Sequence, residues 1–182
     1  MEPSLLQLAA LTAVVFQVLL FLRAAWHKAG DYGRFYGLVA DYRLVPEVLL
    51  GTVSRGLIAL ELGVVALLVF PPLVFWGALG ATGLLGFYAL VIAISLLRGR
   101  EQIECGCGGA PQRLAWSLVA RNLLLMAVAV LAMFGELSAT PPTAVALAIT
   151  AGLLAWSLYL IAEQIITNLN PLLLHRNASK PL

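Results

Sequence analysis

Long apolar runs dominate this chain, separated by short polar or proline-containing breaks. Five of them, Ser4 to Trp26, Pro46 to Phe70, Leu73 to Leu97, Ala115 to Gly135 and Pro142 to Ile166, match the roughly 20 helical residues that cross about 30 Å of hydrocarbon. Within lipid every backbone amide needs a partner, so unbroken runs of this kind predict helices rather than open strands. The pattern predicts an all-α fold: a polytopic integral membrane helical bundle of about five transmembrane helices, a four-helix core plus one. These form a single transmembrane domain over residues 1–170, followed by a polar tail at 171–182. Met1 to Ala25 has no basic residue before Arg23, so it reads as a retained span and not as a cleaved signal peptide.

The breaks are of two kinds. Pro71-Pro72 and Pro141-Pro142 predict tight turns, because proline lacks an amide donor and disfavours helix in the residue before it. On the opposite face lie the longer segments 28–45 and 98–114 and the tail. Composition agrees with a membrane protein: 62% of the 182 residues are hydrophobic and 11% are charged, against about 25% charged in a soluble domain. Arg23, Lys28, Arg34, Arg43, Arg98, Arg100, Arg113, Arg176 and Lys180 fall on the longer-loop face, with Arg55 and Arg121 just inside spans that begin there. By the positive-inside rule the amino terminus is then expected outside, and the 98–114 loop at the cytoplasmic surface of a bacterial inner membrane. No nucleic-acid partner is expected; the lipid bilayer is the medium.

Residues 30–46, GDYGRFYGLVADYRLVP, mix tyrosines with arginines, as in a segment lying along the headgroups, and read as an anchor. Glu61 lies near the middle of the second span, where an ionised carboxylate costs at least about 2.5 kcal/mol. It is expected to pair with a basic or amide side chain across the bundle. Arg55, Arg121 and Glu163 sit near helix ends, where long side chains can reach water, and Asn122 and Gln17 add neutral hydrogen-bonding groups. In the third span Gly77, Gly80, Gly83 and Gly86 recur every third residue, a pattern that lets transmembrane backbones approach; Ala59 and Gly63 offer a second contact of this kind.

The chain's two cysteines, Cys105 and Cys107, stand in CGCGG at 105–109. Three readings compete. Free cysteine can pack as a small inert hydrophobe, although a polar, glycine-rich loop flanked by Arg98, Arg100, Glu101 and Glu104 is an unusual place for one. A redox pair is the second reading: a glycine between the cysteines removes the Cβ that would oppose the bend a disulfide needs, and nearby arginines favour the thiolate. Soft-metal binding is the third. Two thiolates suit an ion such as Cu(I), with His27 or His175 on the same face, whereas a closed zinc site needs four ligands.

RAAWHK (23–28), DYRLVP (41–46), the intramembrane Glu61, RGR (98–100) ahead of ECGCGG (104–109), and RN (121–122) together resemble the methylamine-utilisation MauE family, within the wider DoxX-like group of small membrane proteins. The resemblance covers about residues 20–130. It implies a membrane protein needed for maturation of methylamine dehydrogenase, whose small subunit carries many disulfides, acting beside a membrane-anchored thioredoxin-like protein. It makes Cys105 and Cys107 the catalytic redox pair; the polar and charged residues expected to support them are Glu61, Arg55, Arg98, Arg100, Arg121 and Asn122. No cofactor is evident in the sequence; a quinone or a thioredoxin-like domain is the expected electron acceptor. The alternatives are a soft-metal carrier using Cys105, Cys107 and His27, and a non-catalytic assembly scaffold.

Overall fold

The computed structural model describes residues 4–100, 102–103, 105–106, 113–135 and 140–178, with side chains through residue 168. Six α-helices follow in order: α1 (Leu5–Gly30), α2 (Tyr32–Asp41), α3 (Leu50–Val69), α4 (Val74–Leu97), α5 (Trp116–Ala132) and α6 (Pro142–Ala178). Short 3-10 turns, Glu47–Leu49 and Pro71–Leu73, lead into α3 and α4. Among the described residues four helices are long and apolar enough to cross a membrane, and α5, with 17 residues, is a shorter apolar helix. At 1.5 Å per residue α5 spans about 25 Å, a little less than the hydrocarbon layer.

Helices α1, α3, α4 and α5 share one core, in which Phe16 and Phe21 of α1 meet Val64 and Leu68 of α3, Ala78, Ala81 and Leu85 of α4, and Leu125 and Ala129 of α5. Alanines at these crossings let the backbones approach, which matters in lipid because association there rests on close packing. Outside this core α6 packs mainly along α1. Gln7 Nε2 donates to Thr140 Oγ1 at 2.9 Å near the beginnings of both, and Arg23 Nη1 donates to Glu163 Oε2 at 2.7 Å farther along both, so α1 and α6 run parallel. The predicted four-helix core plus one is the arrangement found.

Two boundaries differ from the sequence pattern. Helix α1 continues past Trp26 to Gly30, which carries Lys28 onto the buried stripe of Gln17, Phe21 and Ala24 at helical spacing. Helix α6 runs through residue 171 to Ala178, so the predicted border between span and tail falls inside one helix. Thr167 Oγ1 donates to Glu163 O at 2.9 Å, a bond that follows the helical register past the predicted end of the span.

The glycine stripe divides. A Cβ at Gly77 would lie 2.7 Å from the Leu68 amide nitrogen and one at Gly80 3.1 Å from Val64 Cγ2, so these two set the α3–α4 distance. Gly86 faces Met126 of α5, whereas Gly83 and Gly63 have nothing within 4 Å. Ala59 and Gly63 point outward and make no second helix contact of the expected kind. Gly152 supplies one instead, where a Cβ would meet Val15 at 2.6 Å between α6 and α1. Gly77→Ala is therefore expected to destabilise the fold by about 1–3 kcal/mol, while Gly83→Ala leaves it unchanged or slightly stabilised. Thermal unfolding of the two variants in detergent, followed by helicity, measures the difference; equal midpoints would contradict the close α3–α4 approach.

Candidate functional site

Two buried polar clusters and the cysteine loop lie around the end of α1 and the beginning of α5, with Glu61 supplied from mid-α3, Tyr88 from α4 and Glu163 from within α6. In the first cluster Glu61, fully buried on α3, accepts from Lys28 Nζ of α1 at 2.5 Å and from the Tyr88 hydroxyl of α4 at 2.7 Å, both through Oε1. The expected cross-bundle partner of Glu61 is thus Lys28. Its ammonium also lies 5.5 Å from the Phe35 ring centroid and 5.2 Å from that of Tyr88, so aromatic faces replace part of the water a lysine normally keeps. Among the described residues the other carboxylate oxygen, Glu61 Oε2, is buried without a partner.

In the second cluster Glu163 of α6 bridges two arginines: Arg23 of α1 at 2.7 Å and Arg121 of α5 at 3.2 Å. Arg23 further stacks over Trp156. Arg121 reaches in a second direction, its Nη2 lying 4.0 Å from Cys105 Sγ, the outer limit of a hydrogen bond to sulfur. A fixed positive charge at that distance favours the thiolate whenever Cys105 is reduced.

Cys105 is half-buried and disulfide-bonded, and no free cysteine occurs among the described residues. Cys107, the other half of the motif, lies outside them, as do Glu101 and Glu104. The loop is clamped by the Tyr42 hydroxyl, which donates to the Cys105 carbonyl at 3.0 Å, and by the Leu114 amide, which donates to the Ile103 carbonyl. Burial pushes the Tyr42 hydroxyl up to about 12, so it remains a protonated donor at physiological pH. Gly106 has φ +65, and a Cβ there would meet Leu38 at 3.2 Å; both backbone and space call for the glycine that separates the cysteines.

An apolar pocket of about 100 Å³ connects the loop to the first cluster. Phe35, Val39, Leu57, Phe87 and Val91 line it, together with Lys28, Tyr88, Cys105 and Gly106. Beyond Glu61 a second chamber of about 30 Å³ is lined by Glu61, Tyr88, Arg121, Asn122 and Tyr159.

The sequence-predicted residues sort by position. Cys105, Glu61 and Arg121 belong to this assembly. Asn122 is buried beside it and lines the small chamber, with Nδ2 bonded to its own helix at Leu118 O. Arg100 is peripheral, donating to Asp41 O at 3.3 Å, and Arg98 is exposed. Arg55 is also exposed, over the Tyr32 ring. His27 points outward from α1, and no group of three or more His, Cys, Asp or Glu gathers among the described residues. Sequence reasoning missed Lys28, Tyr88 and Tyr42. The signal for Lys28 is its helical spacing from Gln17, Phe21 and Ala24, which counts only once α1 extends past Trp26. Segment 30–46, read as an anchor, does form a helix, but Phe35, Val39 and Tyr42 turn inward to close the pocket.

Comparison with known proteins agrees with this picture. The family profile for methylamine utilisation protein MauE matches residues 6–135. The methylamine utilization protein MauE of Paracoccus denitrificans is 38% identical over 168 residues, covering 90% of each chain. Those of Paracoccus versutus and Methylorubrum extorquens are 39% and 38% identical, over 63% and 59% of this chain. No solved structure matches the chain. An all-helical membrane bundle, an ion-paired intramembrane Glu61 and the Cys105 loop stand within or beside the matched region, and the chain belongs to the methylamine utilisation protein MauE family.

Proposed function

We propose that the protein is a thiol–disulfide redox accessory of methylamine utilisation, acting through Cys105 and Cys107 in the bacterial inner membrane. The observation that carries this reading is the setting of Cys105: disulfide-bonded, next to a glycine with positive φ, and within 4.0 Å of the Arg121 guanidinium. Inert packing cysteines have no use for such a neighbour. A partner's thiolate attacks the cysteine-loop disulfide to give a mixed disulfide, which the partner's second thiol resolves, so that the partner leaves oxidised and Cys105 and Cys107 reduced; the Arg121 charge stabilises the Cys105 thiolate that departs. Methylamine dehydrogenase small subunit is the proposed substrate, reached through a membrane-anchored thioredoxin-like protein.

The charge distribution favours an external amino terminus and a cytoplasmic cysteine loop. Disulfides of exported proteins form on the oxidising side, so a loop on the inner face works as one station of a relay and not as a self-contained oxidase. Cys107→Ser protein, expressed with its neighbours, is expected to accumulate a mixed disulfide through Cys105 that reducing agent dissolves. If neither single serine variant traps a partner and both still support growth on methylamine, the reading fails. Impermeant thiol reagents applied to each side of sealed vesicles report the orientation: labelling of the reduced pair from the cytoplasmic side alone is expected.

A further inference from the structure

We propose that the small chamber between the two polar clusters holds one ordered water, which accepts from Arg121 Nε and donates to Glu61 Oε2, and that through this water Glu61 is a positioning residue for the guanidinium beside Cys105. The water stands without the redox reading; its bearing on the chemistry of Cys105 rests on that reading.

The first support is what the two clusters leave unpaired. Glu61 is fully buried, and its Oε1 accepts from both Lys28 Nζ and the Tyr88 hydroxyl. Its Oε2 has no partner among the described residues. Arg121 directs Nη1 to Glu163 Oε1 at 3.2 Å and Nη2 towards Cys105 Sγ at 4.0 Å, while its buried Nε has no partner among them either. A buried polar atom without a hydrogen bond costs the hydration it gave up, more on a charged group than on a neutral one, and folded proteins rarely keep one so. Here an acceptor and a donor in that condition belong to two residues that line the same chamber.

The second support is the size of that chamber, which does not depend on the pairing. It measures about 30 Å³ and lies among α1, α3, α4, α5 and α6. A water needs at least about 10–15 Å³ of such space and two to four polar partners. Asn122 and Tyr159 line the chamber beside Glu61 and Arg121, so further partners are at hand.

The chemistry of the pair selects the occupant. Arg121 Nε–H can only donate and a carboxylate oxygen can only accept, so the bridging group must accept from the one and donate to the other. A metal cation would suit Glu61 and be repelled by Arg121; an anion would meet the reverse. Water does both. It also adds no charge where Lys28 is already paired with Glu61, and Glu163 with Arg23 and Arg121.

The consequence is one of direction. A planar guanidinium held at one nitrogen can swing about that bond, whereas one held at two is fixed in its plane. Glu163 holds Nη1, the water holds Nε, and the remaining nitrogen stays on the side of Cys105 Sγ. Glu61 thus helps to aim a charge to which it makes no direct hydrogen bond.

The test uses the purified full chain in detergent. Hydroxyl radicals made from water by a short X-ray pulse label the side chains that water touches. Phe21 lines the chamber and is 2% exposed, whereas Phe16 does not line it and is 7% exposed. Access from bulk solvent favours Phe16, so a chamber water is read as labelling of Phe21 about threefold or more above that of Phe16. Ala24→Val adds two carbons at the chamber wall. It is expected to bring Phe21 down to the level of Phe16 and to lower the thermal midpoint, because Glu61 Oε2 and Arg121 Nε lose their bridge; in a dry chamber the same carbons improve the packing and the midpoint rises. If Ala24→Val fails to fold, the wild-type labelling decides alone.

Positioning is read at the sulfur. In a Cys107→Ser background Cys105 is a lone thiol, and its rate of alkylation by iodoacetamide against pH reports its ionisation. Ala24→Val displaces the water without altering any charge. Lys28→Met/Glu61→Leu with Tyr88→Phe removes the acceptor together with its counter-charge and leaves Arg23, Arg121 and Glu163 in place. Each is expected to move the profile upward by about half a pH unit or more, whereas a role in packing alone would move the melting temperature and not the profile. Phe21 labelled no more than Phe16, or a midpoint raised by Ala24→Val, overturns the water; an unmoved profile in whichever variant folds overturns the positioning. Failure to trap a mixed disulfide would remove the redox reading and leave both of these measurements standing, so the two fail separately.

Discussion

Glu61→Leu is expected to lose most of its folded protein, and the double variant Lys28→Met/Glu61→Leu to regain it. The single change leaves the Lys28 ammonium buried without its counter-ion, and removing one partner of a buried pair typically costs about 3–5 kcal/mol. Helix packing in lipid has no hydrophobic drive to absorb such a loss. Replacing both partners by apolar residues of similar length removes charge and counter-charge together, which is often neutral or stabilising. The Tyr88 hydroxyl loses its acceptor in the double variant, at about 1–3 kcal/mol, so complete recovery calls for Tyr88→Phe as a third change. Monodisperse yield and thermal midpoint in detergent measure the series. A double variant as unstable as Glu61→Leu would show that charge compensation is not what Lys28 provides.

Arg121→Leu is expected to slow disulfide exchange at neutral pH by about tenfold and to move the pH–rate profile upward. The guanidinium favours the ionised sulfur, so its removal lowers the thiolate fraction at a given pH, and the rate recovers as pH rises. Among the described residues Arg121 is the cation placed against Cys105 Sγ, and Glu163 fixes its direction. Arg121→Lys keeps the charge but not the fork that spans Glu163 and the sulfur, and should fall between the two. Stopped-flow reaction of the pre-reduced protein with a small disulfide across a range of pH separates this role from scaffolding: a variant that only loosens the bundle lowers the melting temperature and leaves the profile in place.

The spans were readable because lipid imposes a strict rule on apolar length, and each of the five runs became a helix. The core was less readable. In helices that are apolar on all sides, hydropathy does not say which face turns inward, so Gly83 and Gly63 looked like Gly77 and Gly80, and Gly152 was missed. Glu61 stood out as a charge deep in a span. Lys28 did not, because a lysine just past the end of an apolar run normally marks the interface; only the extension of α1 to Gly30 draws it inward. Tyr88 is one aromatic among many in α4, and its role depends on a carboxylate 27 residues earlier in the chain. Arg55, Arg98 and Arg100 shared the basic face with Arg121, and no pattern in the sequence distinguished the one that points at sulfur.

Helix α6 stands outside the four-helix core, yet it supplies the carboxylate that holds Arg121. A strut attached to the rim can lean without unpacking the centre. Any protein that pulls α6 away from α1 would unhook the guanidinium from Glu163 and change the reactivity of Cys105 from a distance, making the outermost helix the natural handle by which a neighbour in the bilayer could tune the sulfur chemistry.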